Sequence, residues 1–189
     1  MAAPDLPVIE LGGSYGIVSH TIRKHLDDDA RLIVLEANPD LVDICKDNVA
    51  KAGGKTEVVQ AALAYGRDKV RFTVTSGLHT SHVTTGAGAA DDAGSREIEV
   101  PAMTLATLLA DKGIDGSYGL VCDIEGGEFD LFLNDAEALA RCAMAIVELH
   151  PDPFVRRGES TSAFLEHVRA AGFEIVEVMA NVIAARRIT

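Results

Sequence analysis

Apolar positions along this chain come in short runs that alternate with stretches of helical period. Leu6 to Leu11 is an apolar run that stops at Gly12 and Gly13, after which Ile17, Val18, Ile22 and Leu26 recur at helical spacing. Arg31 to Leu35 is a second buried run ending at Glu36. Asn38-Pro39 opens a helix whose inner face is Leu41, Val42, Cys45 and Val49, and Gly53-Gly54 ends it. Glu57 to Gln60 predicts a third strand and Lys69 to Val74 an alternating, half-exposed one, whereas Ser76 to Ser95 has no apolar period and reads as a mobile loop. The rest continues the alternation. Ile98 to Val100, Tyr118 to Cys122 and Ala143 to Leu149 are strands, and Thr104 to Lys112, Glu128 to Ala140 and Ser160 to Ala171 are helices. Phe173 to Met179 and Val182 to Ala185 close the chain as two strands joined tightly at Ala180-Asn181.

Strands separated by helices pair in parallel through right-handed crossovers, so the expected fold is α/β, a doubly wound Rossmann-like sheet. The tight C-terminal pair adds an antiparallel edge strand. Such sheets bind ligands beyond the carboxyl ends of their strands, which directs attention to Gly12, Glu36, Gln60, Asp123 and His150.

Composition narrows the partners. The 189 residues, 48% of them hydrophobic, suit one domain over residues 1–189, and a formal charge of −12 repels nucleic acid and anionic membranes. No basic n-region or long apolar segment is visible, which predicts a cytoplasmic protein. Oligomeric state is not readable. Cys45, Cys122 and Cys142 are widely spaced within apolar patterns and are expected to be reduced and buried.

The turn Glu10-Leu-Gly-Gly-Ser-Tyr-Gly16 lacks the spacing of a dinucleotide fingerprint, since glycine would be needed at Ser14 and Ile17. It still permits close backbone approach to a ligand, and Glu36, about 20 residues on, stands where a carboxylate accepts ribose hydroxyls. An adenosine-type ligand follows. Taken in order, VIELGGSYGIVS, VLEANPD, VVQAAL, VCDIEGGEFDLF and IVELHP resemble the motif series of FkbM-type S-adenosylmethionine-dependent methyltransferases, from Val8 to about Pro151. The resemblance implies a class I methyltransferase fold, S-adenosylmethionine as cofactor, and methylation of a hydroxyl on a small molecule or sugar. It also implies that Glu10, Gly12, Gly13, Ser14 and Gly16 surround the methionine part, that Glu36 takes the ribose, and that Gln60, Ala61 and Ala62 lie near the adenine. Two positions depart from the family: Ala106 replaces a common Asp, and Val121 a common Lys. Many members also carry a long N-terminal segment that helps enclose the substrate.

In GLVCDIEGGEFD, Asp123 ends a strand beside the cofactor rim and Glu125 can face the same cleft as a base. Glu128 reads as a helix-starting acid stabilised by the helix dipole, and Asp130 as solvated. His150, two residues after Glu148, is the natural proton acceptor. A divalent metal on Asp123, Glu125, Glu148 and His150 is a competing explanation, without a compact ligand motif behind it. His79 and His82 have helical ligand spacing, but in a stretch expected to be irregular and to serve as a lid. Two alternatives stay open: a non-catalytic adenosine-binding module of the same fold and, with less support, a nicotinamide-dependent oxidoreductase.

Overall fold

The computed structural model describes residues 4–75, 81–84 and 95–188. A seven-stranded sheet is ordered β10-β11-β9-β8-β1-β2-β3, built from β1 (Val8–Leu11), β2 (Arg31–Glu36), β3 (Lys55–Gln60), β8 (Tyr118–Cys122), β9 (Cys142–Glu148), β10 (Phe173–Met179) and β11 (Val182–Arg187). β3, β2, β1, β8 and β9 run parallel, and β11 pairs antiparallel with both β9 and β10. This is the expected doubly wound sheet with its C-terminal strand pair antiparallel at one edge, the antiparallel strand β11 lying between β9 and β10. Strand order reverses between β1 and β8, which makes their carboxyl ends the switch point.

The period of two along each strand sorts side chains to opposite faces. Val8, Leu32 and Val34 pack with Cys45 and Val49 of α2 (Pro39–Ala50), beside α1 (Ile17–Arg23). Ile9, Leu11, Ile33, Leu35, Leu120 and Cys122 face the larger core, filled by α3 (Leu105–Asp111), α4 (Glu128–Asn134), α5 (Ala136–Leu139) and α7 (Thr161–Ala170). Parity therefore puts Glu10 and Glu36 on the α1/α2 face, continuing from Val8 and Val34. Five of the six phenylalanines, Phe129, Phe132, Phe154, Phe164 and Phe173, meet with ring centroids 5.2–6.0 Å apart. This cluster locks α4 to α7 and to α6 (Pro151–Arg156).

Four features differ from the sequence reading. A second sheet, β4-β7-β5-β6, is built from β4 (Ala62–Leu63), β5 (Lys69–Val74), β6 (His82–Val83) and β7 (Arg96–Met103). The short strand expected at Ile98 to Val100 thus runs through Pro101, and Val70, Phe72, Val74 and Val100 give this sheet its own core. Within the stretch expected to be irregular, His82 and Val83 pair with Thr73 and Phe72, which removes the helical spacing from His82. His79 and the remainder of the expected lid, residues 76–80 and 85–94, lie outside the described residues. The helix expected over Glu128 to Ala140 breaks at Asp135, whose carboxylate accepts hydrogen bonds from Leu105 N–H at 2.8 Å, Ala106 N–H at 3.3 Å and Tyr65 OH at 2.6 Å. Capping α3 pulls Asp135 out of helical geometry. Finally, α6 begins directly at Pro151, a residue suited to the first helical position.

Candidate functional site

The carboxyl ends of β2, β1, β8 and β9 form one continuous rim. Gly12, at φ +90°, starts the first turn, and a Cβ there would stand 1.8 Å from the Asp123 carbonyl oxygen, so only glycine lets the β1 and β8 ends meet this closely. Gly12 and Gly13 donate their N–H groups to the Leu35 carbonyl at 2.9 and 3.1 Å, and Asp123 N–H donates to the Leu11 carbonyl at 2.9 Å. From α2, Asn48 holds the turn by donating to the Tyr15 carbonyl at 2.9 Å.

Glu36 is buried and accepts from Ser14 N–H through Oε2 and from Asn38 N–H through Oε1, both at 2.6 Å. It therefore clamps the glycine turn to the start of α2. Each oxygen keeps a second acceptor site, so a ligand hydroxyl could still bond it. Burial raises the Glu36 pKa, against the opposing pull of those N–H groups. Glu10 is 1% exposed, and its Oε2 has no hydrogen-bond partner among the described residues. Burial pushes its pKa up to about 8; the Ser19 hydroxyl opposes this, and Glu36 and Asp123 add to it. Gln60 is exposed opposite Glu36, whereas Ala61 packs in the main core and Ala62 in the core of the second sheet.

The second half of the rim is an imidazole ringed by carboxylates. His150 Nε2 lies 3.4 Å from Asp123 Oδ1 and 3.5 Å from Glu125 Oε2, and its Nδ1 lies 3.0 Å from Glu128 Oε1. Asp123 is half exposed, His150 mostly covered and Glu128 fully buried. Glu125 sits at φ +53°, a left-handed conformation costly for a residue with a Cβ, and Gly126 and Gly127 follow it into α4. Burial opposes charge on His150, but Glu128, Glu125 and Asp123 outweigh it and push the pKa up to about 9. Burial raises the Glu125 pKa in turn, and His150 opposes that rise.

These positions correct three sequence expectations. Glu128 is not merely a helix-starting acid, because it is enclosed and bonded to His150. Asp130 is not simply solvated, since both its oxygens accept from Arg157, at 2.9 and 2.6 Å. Glu148, named above as a possible ligand with Asp123, Glu125 and His150, is not in the group those three form and instead accepts from Asn181 at 2.6 Å. Donor atoms of Asp123, Glu125 and His150 lie within 4.8 Å of one another, a spacing that could admit a divalent cation. The Nε2–oxygen separations also suit an ion pair with an imidazolium, which answers the same charges without a metal.

Comparison with known proteins decides the family. The profile of the methyltransferase FkbM domain matches residues 10–175, most of the chain and every rim residue described above. The chain belongs to the FkbM methyltransferase family. Solved structures agree at the level of fold. Ribosomal protein L11 methylase from Lactobacillus delbrueckii subsp. bulgaricus superposes with a TM-score of 0.54 at 12% identity, over 100% of this chain and 73% of its own. An O-methyltransferase from Bacillus cereus in complex with S-adenosylhomocysteine gives 0.53 at 12%, over 97% and 75%. The N-terminal domain of EvdMO1 with S-adenosylhomocysteine bound gives 0.52 at 12%, over 97% and 75%. A search of curated proteins finds no match. Among the described residues, no helix is long and apolar enough to cross a membrane.

The FkbM methyltransferase rim fits a cationic cofactor. Glu10, Glu36 and Asp123 act on one another's charge, and the Glu10 Oε2 is a buried acceptor without a donor among the described residues. A group carrying an ammonium would supply one. This gives a pH prediction for the protein without cofactor. Glu10 keeps its proton in the folded chain up to about 8, whereas the unfolded side chain loses it near 4.5, so its contribution to stability is lost as pH rises across that window. Glu10→Gln is expected to stabilise the folded chain on the order of 3 kcal/mol near pH 7, and far less at pH 5. Urea denaturation at the two pH values checks this, and an equal difference at both would contradict it.

Proposed function

We propose that this chain transfers the methyl group of S-adenosylmethionine to a hydroxyl of a small molecule or sugar, with His150 as proton acceptor. The observation that carries the reading is the His150 imidazole, with Nε2 on the rim 3.4 Å from Asp123 and 3.5 Å from Glu125, Asp123 being the residue whose carbonyl meets the Gly12 turn. Glu10, Gly12, Gly13, Ser14 and Gly16 would hold the methionine part, Glu36 the ribose, and Gln60 and Ala61 the adenine edge. Ala62, turned into the second sheet, would shape that edge from behind. The family match and the S-adenosylhomocysteine held by two fold neighbours support the cofactor.

When bound, the cofactor supplies an electrophilic methyl group on a sulfonium. The chain's own task is then to align an acceptor oxygen in line with it, exclude water and remove the acceptor's proton. His150 Nε2 is placed for that proton, and Asp123 and Glu125 stabilise the imidazolium formed. Asp123, at the β8 end, is also placed to accept from the cofactor's ammonium. Transfer of labelled methyl from S-adenosylmethionine to a panel of polyols, sugars, phenols and amines tests the acceptor class. Label is expected in hydroxyl compounds as base-stable ethers, and label confined to amines, or in no acceptor, would overturn this reading.

A further inference from the structure

Glu128 is the least accessible acid of the rim, and one of its oxygens does two jobs. Its Oε1 accepts from Ile124 N–H at 2.9 Å and meets His150 Nδ1 at 3.0 Å, while Oε2 is buried with no hydrogen-bond partner among the described residues. Placing a carboxylate in such a position is costly unless a donor or cation answers it. His150 is that answer. The two residues come from elements fixed to each other: Phe129, next to Glu128, and Phe154, on the helix that His150 caps, meet edge to face with centroids 5.2 Å apart. Pro153 closes against Gly126, where a Cβ would come within 2.4 Å of the proline ring. Neither side chain can shift without disturbing this packing.

We propose that Glu128 is a positioning residue for His150, holding the imidazole by Nδ1–H so that the Nε2 lone pair faces the acceptor. The proposal rests on the reading of His150 as the proton acceptor. A neutral imidazole carries its hydrogen on one nitrogen only, and the bond made by that nitrogen decides which one is free to act as base. With Nδ1–H committed to Glu128, Nε2 is left on the Asp123 and Glu125 side of the rim. As the acceptor oxygen bonds to the methyl carbon, the carbon–sulfur electron pair leaves with sulfur. His150 Nε2 takes the hydroxyl proton, and the imidazolium rests among Glu128, Glu125 and Asp123. No further reactant is required.

Two variants separate position from charge. Glu128→Gln keeps an oxygen for Ile124 N–H and His150 Nδ1–H but loses the negative charge, whereas Glu128→Ala loses both. Nitrogen-15 NMR of labelled histidine, above the His150 pKa, is expected to show the Nδ1–H form in wild type and Glu128→Gln and loss of that preference in Glu128→Ala. In Glu128→Gln the His150 pKa is expected to fall by about one unit or more. Turnover in Glu128→Ala is expected to fall roughly 10- to 100-fold, with acceptor KM and S-adenosylhomocysteine affinity changed less than about threefold. An unchanged tautomer in Glu128→Ala, or full turnover there, would overturn the proposal. If Glu128→Ala does not fold, an unshifted His150 pKa in Glu128→Gln does so instead. The NMR arm needs no catalysis, so failure of Glu128 appears as an unmoved imidazole. Failure of His150 as the base would appear as full activity in His150→Ala.

Discussion

His150→Ala is expected to lower the turnover of methyl transfer by roughly 10² to 10⁴-fold while leaving S-adenosylhomocysteine affinity within about threefold. The size follows from removing a positioned proton acceptor while the glycine turn and Glu36 stay in place. The pH profile carries the same information. In the free protein His150 stays protonated up to about 9, because Glu128, Glu125 and Asp123 favour the imidazolium. A proton acceptor must first be deprotonated, so activity rises with pH through the His150 pKa. A cation bound on this rim opposes the imidazolium and moves that rise below 9. Steady-state kinetics at saturating cofactor between pH 6 and 10 should show the rising limb in wild type, and no such limb in the residual activity of His150→Ala. A wild-type rate in His150→Ala would remove His150 from the chemistry.

The largest expected effect on stability lies at Gly12. Gly12→Ala combines a left-handed backbone, at φ +90°, with a Cβ 1.8 Å from the Asp123 carbonyl oxygen, and backbone cannot yield as a flexible side chain can. Separation of β1 from β8 at the switch point would follow, at a cost of about 4 kcal/mol or more and a melting temperature lower by about 10 °C. Gly53→Ala is the control. Gly53 has φ +71° but, among the described residues, nothing within 4 Å of a Cβ, so its change reports backbone strain alone, on the order of 1–2 kcal/mol. Thermal unfolding of both variants compares the two effects, and equal losses would show that the close approach of Asp123 does not matter.

Much of this rim is legible in the sequence because strands announce their own ends. Glu10, Glu36, Asp123 and His150 lie at or near the ends of apolar runs, whereas the register of Glu10 against Val34, which puts Glu10 and Glu36 on one face of the sheet, comes only from the folded structure. Glu128 is not legible in the same way. An acid in the first turn of a helix looks like a dipole partner, and only packing shows that it is buried against His150. The signal is present in the spacing of the D-x-E-G-x-E segment, whose last acid sits beside Phe129, a core residue. The second sheet is hidden for another reason. β4 and β6 are two residues each, too short to display a period, and exist because β7 and β5 offer them partners. Likewise α6 escapes the sequence pattern because Pro151 and Pro153 read as breakers, although proline is tolerated within a first helical turn. Asp135 breaks an otherwise continuous helical pattern by serving a neighbouring helix, a tertiary demand that local propensity cannot express.

The central claim is that the glycine turn and Glu36 hold S-adenosylmethionine, and calorimetry with its product tests it without knowledge of the acceptor. Titration of S-adenosylhomocysteine into the wild-type protein should give saturable binding with one site per chain. Glu36→Ala, which loses the carboxylate bonded to Ser14 and Asn38, should bind at least about tenfold more weakly. No binding to the wild type at millimolar ligand, or equal binding by Glu36→Ala, would contradict the account.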